Sequence, residues 1–128
     1  MRIASFLILP LALMASSSVS GQAPALVEVH LSNFRFTPRT LVFQHGQPYT
    51  LRLVNRAGGG HDFTAPEFFA RASVAPASRA LVEGGEVEVP PGQVREIRLV
   101  APPAGTYRLK CSHSFHKFFG MSGNFIVR

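Results

Sequence analysis

Cys111, His116 and Met121 stand in the segment Gly105-Thr106-Tyr107-Arg108-Leu109-Lys110-Cys111-Ser112-His113-Ser114-Phe115-His116-Lys117-Phe118-Phe119-Gly120-Met121-Ser122-Gly123. Thiolate, imidazole and thioether are the soft and borderline donors of protein chemistry. A strand that ends at Cys111, followed by a loop bearing His116 and Met121, folds all three around one point. A copper ion cycling between Cu(I) and Cu(II) takes thiolate and imidazole in a near-trigonal plane with a weak axial thioether. The second imidazole must come from elsewhere, and His61, after the Gly58-Gly59-Gly60 turn, is the best candidate.

His113 competes with His116. On a strand running straight on, alternation points His113 to the same side as Cys111. One intervening residue is nevertheless a tight reach for two ligands of one ion, so His116 is preferred and His113 is read as a neighbouring or surface group. A second metal reading uses His61, Cys111, His113 and His116 as a tetrahedral zinc set. It ranks lower because it gives the Gly120-Met121-Ser122-Gly123 segment no role. His30, on the polar side of a strand, and His45, in a turn before Gly46, read as surface residues.

The elements that must hold these donors fit one domain. The chain has 128 residues, 46% of them hydrophobic, enough for a real core. Met1-Arg2 and the apolar run from Ile3 to Ala15 precede small residues, the pattern of a cleaved signal peptide over residues 1–23 rather than a membrane anchor. The mature domain is then 24–128. Removing the leader takes away Arg2 and no acidic residue, leaving twelve basic against seven acidic residues, net +5. It leaves Cys111 and Met121 as the single cysteine and single methionine of the exported chain. An unpartnered cysteine in an oxidising compartment is a liability unless it is buried or bound.

Short β-branched or aromatic runs recur at Ala25 to Asn33, Leu41 to Gln44, Tyr49 to Asn55, Glu86 to Val89, Val94 to Val100, Thr106 to Cys111 and Asn124 to Arg128. Gly- and Pro-rich turns divide them, which predicts about seven or eight strands in an antiparallel sandwich or barrel. Pro66 to Ala72 is the exception, a proline-started helical excursion. The basic residues are scattered rather than gathered in a stripe, so a nucleic-acid partner is not expected. No enzyme is expected either. Cys111 with a histidine and Asp62 lacks the helix and second lobe of a thiol hydrolase, and too few histidines remain for further copper clusters.

Phe34-Arg35-Phe36-Thr37-Pro38, Asn55 to His61 and Gly105 to Val127 resemble the cupredoxins, the plastocyanin and azurin group of small copper proteins. The resemblance covers nearly the whole mature chain. It implies an all-β Greek-key sandwich with one copper at one end and electron transfer as the usual activity. Residue by residue, His61 matches the first histidine ligand, Cys111 the thiolate, His116 the second histidine and Met121 the axial ligand. The C-x4-H-x4-M spacing is similar to the longer-loop members. Asp62 stands where many relatives carry Asn, whose side chain ties the two ligand loops together. The signal peptide implies export, to the periplasm first and secretion second, and the resemblance implies an electron carrier, expected to be a monomer. Its partner would be a redox protein such as a cytochrome or copper oxidase, docking on a patch of Phe115, Phe118 and Phe119. A copper-trafficking or tolerance protein with the same ligands is the alternative.

Overall fold

The computed structural model describes Gly21, residues 23–113 and residues 120–128. Most of the expected leader 1–23, namely residues 1–20 and 22, and His116, Phe115, Phe118 and Phe119 therefore lie outside the described residues. In chain order the strands are β1 (Ala25–Ser32), β2 (Arg35–Thr37), β3 (Thr40–Phe43), β4 (Pro48–Asn55), β5 (His61–Thr64), β6 (Ser73–Val74), β7 (Glu86–Val89), β8 (Val94–Val100), β9 (Gly105–Lys110) and β10 (Ser122–Val127). One α-helix, α1 (Pro66–Arg71), and a 3-10 turn at Pro76–Leu81 interrupt them. Ten strands among the described residues exceed the seven or eight expected, and the helical excursion falls where the proline predicts it.

The strands form two five-stranded sheets, ordered β2-β1-β4-β8-β6 and β3-β10-β9-β5-β7. The chain changes sheets at most of its connections, giving the Greek-key β-sandwich. The pairing is not purely antiparallel. β1 lies parallel to β4 and β3 parallel to β10. Parallel neighbours cannot be joined by a tight hairpin, so each pair requires the intervening chain to visit the other sheet.

Alternation drives the packing. In β3 the burial runs exposed, buried, exposed, buried, so that Leu41 and Phe43 face inward; in β9 Tyr107 and Leu109 do the same. The core is strongly aromatic. Phe68 stacks on Phe125 with ring centroids 4.2 Å apart, and Phe43 and Tyr107 meet Phe68 at 5.3 and 5.7 Å. α1 begins at Pro66, whose missing N–H costs nothing in the first turn. Its role is to deliver Phe68 and Phe69 into the space between the sheets. Three of the missed segments have physical reasons: β2 and β6 have only three and two residues, and β5 is buried at all four positions, so no polar–apolar alternation marks it.

Candidate metal centre

β5 pairs with β7 along its whole length, His61 opposite Val89 and Phe63 opposite Val87, and touches β9 at Thr64 opposite Lys110. Continuing that register sets the chain after β9, at Cys111 and Ser112, alongside the start of β5. His61, Cys111 and Met121 are all buried, at 0%, 0% and 1% exposure. The Cys111 N–H donates to the Met121 carbonyl at 3.0 Å, which clamps the start of the segment after β9 to its end before β10. His61 opens β5, while Cys111 and Met121 are joined through their backbones; His116, the fourth expected ligand, lies outside the described residues.

His61 is positioned by the turn before it. Asn55, buried at the end of β4, donates through Nδ2 to the carbonyls of Gly59 and Val89, each at 2.9 Å, while its Oδ1 accepts from the Ala57 N–H at 2.9 Å. One side chain therefore ties the glycine turn to β7 and fixes where β5 begins. Sequence reasoning included Asn55 only as the edge of a motif. The available signal was an amide at a strand end immediately before a glycine-rich turn, whose carbonyls need a donor.

Asp62 does the tying across to the other ligand segment. Its Oδ1 accepts the Ser112 N–H at 2.7 Å and the Thr64 hydroxyl at 2.7 Å, and its Oδ2 accepts the Ser112 hydroxyl at 2.6 Å. A carboxylate, an acceptor only, takes both hydrogen bonds that Ser112 offers. Gly123 matters for close approach: a Cβ there would run into the Arg39 carbonyl, which accepts the Asn124 N–H.

The sulfur sits in a mixed field. Burial pushes the Cys111 thiol above its ordinary pKa, hydrogen bonds from the backbone amides of Asp62 and His113 pull it down, and the Asp62 and Glu88 charges push it up again. The two backbone N–H groups only partly offset burial, so the metal-free sulfur favours the thiol and gives up its proton on binding a metal. The chemistry of these donors fits a soft, redox-active ion: a buried sulfur supplied with N–H donors, a buried imidazole and a buried thioether. His113 turns elsewhere, with Nε2 3.1 and 3.2 Å from the two Glu88 carboxylate oxygens and 3.6 Å from Asp62 Oδ2. Among the described residues, the His, Cys, Asp and Glu side chains that converge within 4.8 Å are Asp62, Glu88 and His113, and Cys111 is not one of them.

A family model described as a cupredoxin-like domain matches residues 4–127. The chain belongs to that family. Solved structures share the cupredoxin fold. Dithionite-reduced auracyanin from the photosynthetic bacterium Roseiflexus castenholzii superposes with a TM-score of 0.61 at 18% identity, covering 84% of this chain and 99% of that one. Auracyanin B gives 0.61 at 20% identity, over 88% of this chain and 95% of that one. Auracyanin A, a "blue" copper protein from the green thermophilic photosynthetic bacterium Chloroflexus aurantiacus, gives 0.58 at 21% identity, over 83% and 100%. At such identities the likeness concerns architecture. No curated protein matches the chain in sequence. Among the described residues of this cupredoxin, no helix is long and apolar enough to cross a membrane.

Proposed function

We propose that this cupredoxin is an exported, mononuclear copper protein that carries one electron at a time. The observation that supports it most is the setting of Cys111: buried, receiving two backbone N–H bonds at sulfur, and clamped through its own N–H to Met121. His61, Cys111, His116 and Met121 would hold the ion, and copper supplies a Cu(I)/Cu(II) couple when bound. The auracyanin A that shares this fold is described as a blue copper protein, which agrees with that choice of metal.

The chain's own contribution is rigidity and exclusion of water. Asn55 fixes the approach to His61, Asp62 fixes Ser112 beside Cys111, and the Cys111–Met121 backbone bond fixes the distance between the two sulfur-bearing residues along the sheet. A site whose ligands are held by such contacts has little freedom to rearrange between oxidation states, which lowers the reorganisation that accompanies electron transfer. In this reading residues 1–23 are removed on export to the periplasm, and net positive charge favours an acidic redox partner such as a cytochrome or copper oxidase. Phe115, Phe118 and Phe119 would supply the apolar contact, and the chain would act as a monomer without catalytic residues.

The test is cyclic voltammetry of the copper-loaded protein with electron exchange to a small redox mediator. Reversible one-electron cycling over many scans is expected. Loss of copper on reduction, or failure to cycle, contradicts the carrier reading and favours the alternative of copper trafficking or tolerance.

A further inference from the structure

Asp62 and Glu88 stand directly opposite each other in the β5–β7 ladder. Alternation puts Asp62 and Thr64 on the outer face of β5, away from His61 and Phe63, and the Thr64–Asp62 hydrogen bond shows that shared face. Two carboxylates facing each other across an antiparallel pair repel, and here one of them is fully buried. His113 completes the group, its Nε2 within 3.1 and 3.2 Å of Glu88 and 3.6 Å of Asp62. No side chain at position 60 crowds them: a Cβ on Gly60 would come within 3.2 Å of Glu88 Oε1 and 3.5 Å of His113 Cε1.

We propose that Asp62, Glu88 and His113 form a second cation site, distinct from the copper ligands, that takes one divalent metal ion of the zinc type. The donor chemistry fits, with one imidazole and two carboxylates, the mixed N and O set that borderline divalent ions accept. The spacing fits as well. With metal–ligand distances of about 2.0–2.2 Å, neighbouring ligand atoms lie roughly 2.8–3.1 Å apart in octahedral and roughly 3.3–3.6 Å apart in tetrahedral coordination; His113 Nε2 stands 3.1 Å from Glu88 and 3.6 Å from Asp62, and the three ligand atoms lie within 4.8 Å of one another. Asp62 keeps capacity for it, since each carboxylate oxygen offers about two acceptor positions and the Ser112 hydroxyl takes one on Oδ2. An ion there neutralises the facing carboxylates more completely than a protonated imidazole can. It would also oppose the negative field that the same two groups exert on the Cys111 sulfur.

The probe is Zn²⁺, titrated calorimetrically into the full protein carrying Cys111→Ser, which removes the thiolate as a competing ligand. One saturable Zn²⁺ per chain is expected. Adding Glu88→Gln or His113→Gln should each weaken binding at least about tenfold, whereas Glu96→Gln, on the other sheet, should leave it unchanged. Thermal unfolding of each variant verifies the fold, and Glu88, half-exposed, is the safer substitution. Absence of saturable binding overturns the proposal and leaves a simple ion pair. So does binding that survives both Glu88→Gln and His113→Gln, or that falls equally with Glu96→Gln. The copper reading is tested separately by the colour of the copper-loaded parent, which Glu88→Gln should leave intact.

Discussion

The aromatic core and the Cys111 end of the sandwich are both buried, yet they are held by different physics. In the core, Phe43, Phe63, Phe68, Phe69, Tyr107 and Phe125 touch ring to ring, and no single polar partner is required. At the other end, Asn55, His61, Asp62 and Thr64 are buried polar groups, three of them in one four-residue strand. The positions of Asn55, Asp62 and Thr64 depend on named hydrogen bonds rather than on filled volume. The core should therefore govern stability and tolerate shape-conserving exchange, while the polar end should govern the site and tolerate little chemical change.

The largest effect should come from the core. Phe68 meets Phe43, Phe69, Tyr107 and Phe125, and Phe68→Ala should destabilise the fold by about 3–5 kcal/mol, read from the midpoint of urea unfolding. The same variant, once copper-loaded at a temperature where it is folded, should keep the absorption of the parent. A changed spectrum would break the separation between the two regions.

Asp62→Ala should cost less, about 1–3 kcal/mol, because it leaves the Ser112 N–H and the Thr64 hydroxyl without their acceptor. Its larger consequence should be on the metal spectrum, since Ser112 adjoins Cys111. Asp62→Asn keeps a carbonyl for the Ser112 N–H and should restore most of the stability. Smaller still is Tyr107→Phe, which removes the hydroxyl that donates to the Pro103 carbonyl at 2.6 Å and should cost about 1 kcal/mol with no change at the metal centre.

A pH effect separates the regions without any core substitution. In the metal-free protein the Cys111 thiol titrates above its unfolded value of about 8.5, so folding favours the protonated form. That stabilisation is complete below pH of about 8.5 and is lost as pH rises from there through the folded pKa. Thermal unfolding of the metal-free protein should therefore weaken above about pH 8.5, and Cys111→Ser should remove that part of the decline. A decline of the same size in both proteins would assign it to other groups.

Much of this was legible in the sequence where side chains alternate. β4, β7 and β8 fall on the predicted runs because one face of each is apolar, and α1 falls on its proline. β5 was not legible, since His61, Asp62, Phe63 and Thr64 are buried together and three of them are polar or charged, which hides any alternation. The parallel pairs β1–β4 and β3–β10 were equally hidden, because a period of two carries no information on strand direction. At the site, residue types suggested Cys111, His61 and Met121; all three are buried, and the backbone joins Cys111 to Met121. The structure also shows what type and spacing did not: Asn55 anchoring the turn before His61, and Asp62 facing Glu88 across the ladder with His113 beside them.

The central claim, a copper held through the Cys111 thiolate with His116 rather than His113 as the second imidazole, is tested most directly by visible absorption and paramagnetic resonance. Cu(II) would be loaded into the native protein and into Cys111→Ala, His116→Ala and His113→Ala. The account predicts an intense thiolate-to-copper charge-transfer band in the native protein and in His113→Ala, absent from Cys111→Ala and His116→Ala. A colourless native protein, or a band that survives Cys111→Ala or disappears with His113→Ala while persisting in His116→Ala, would contradict it.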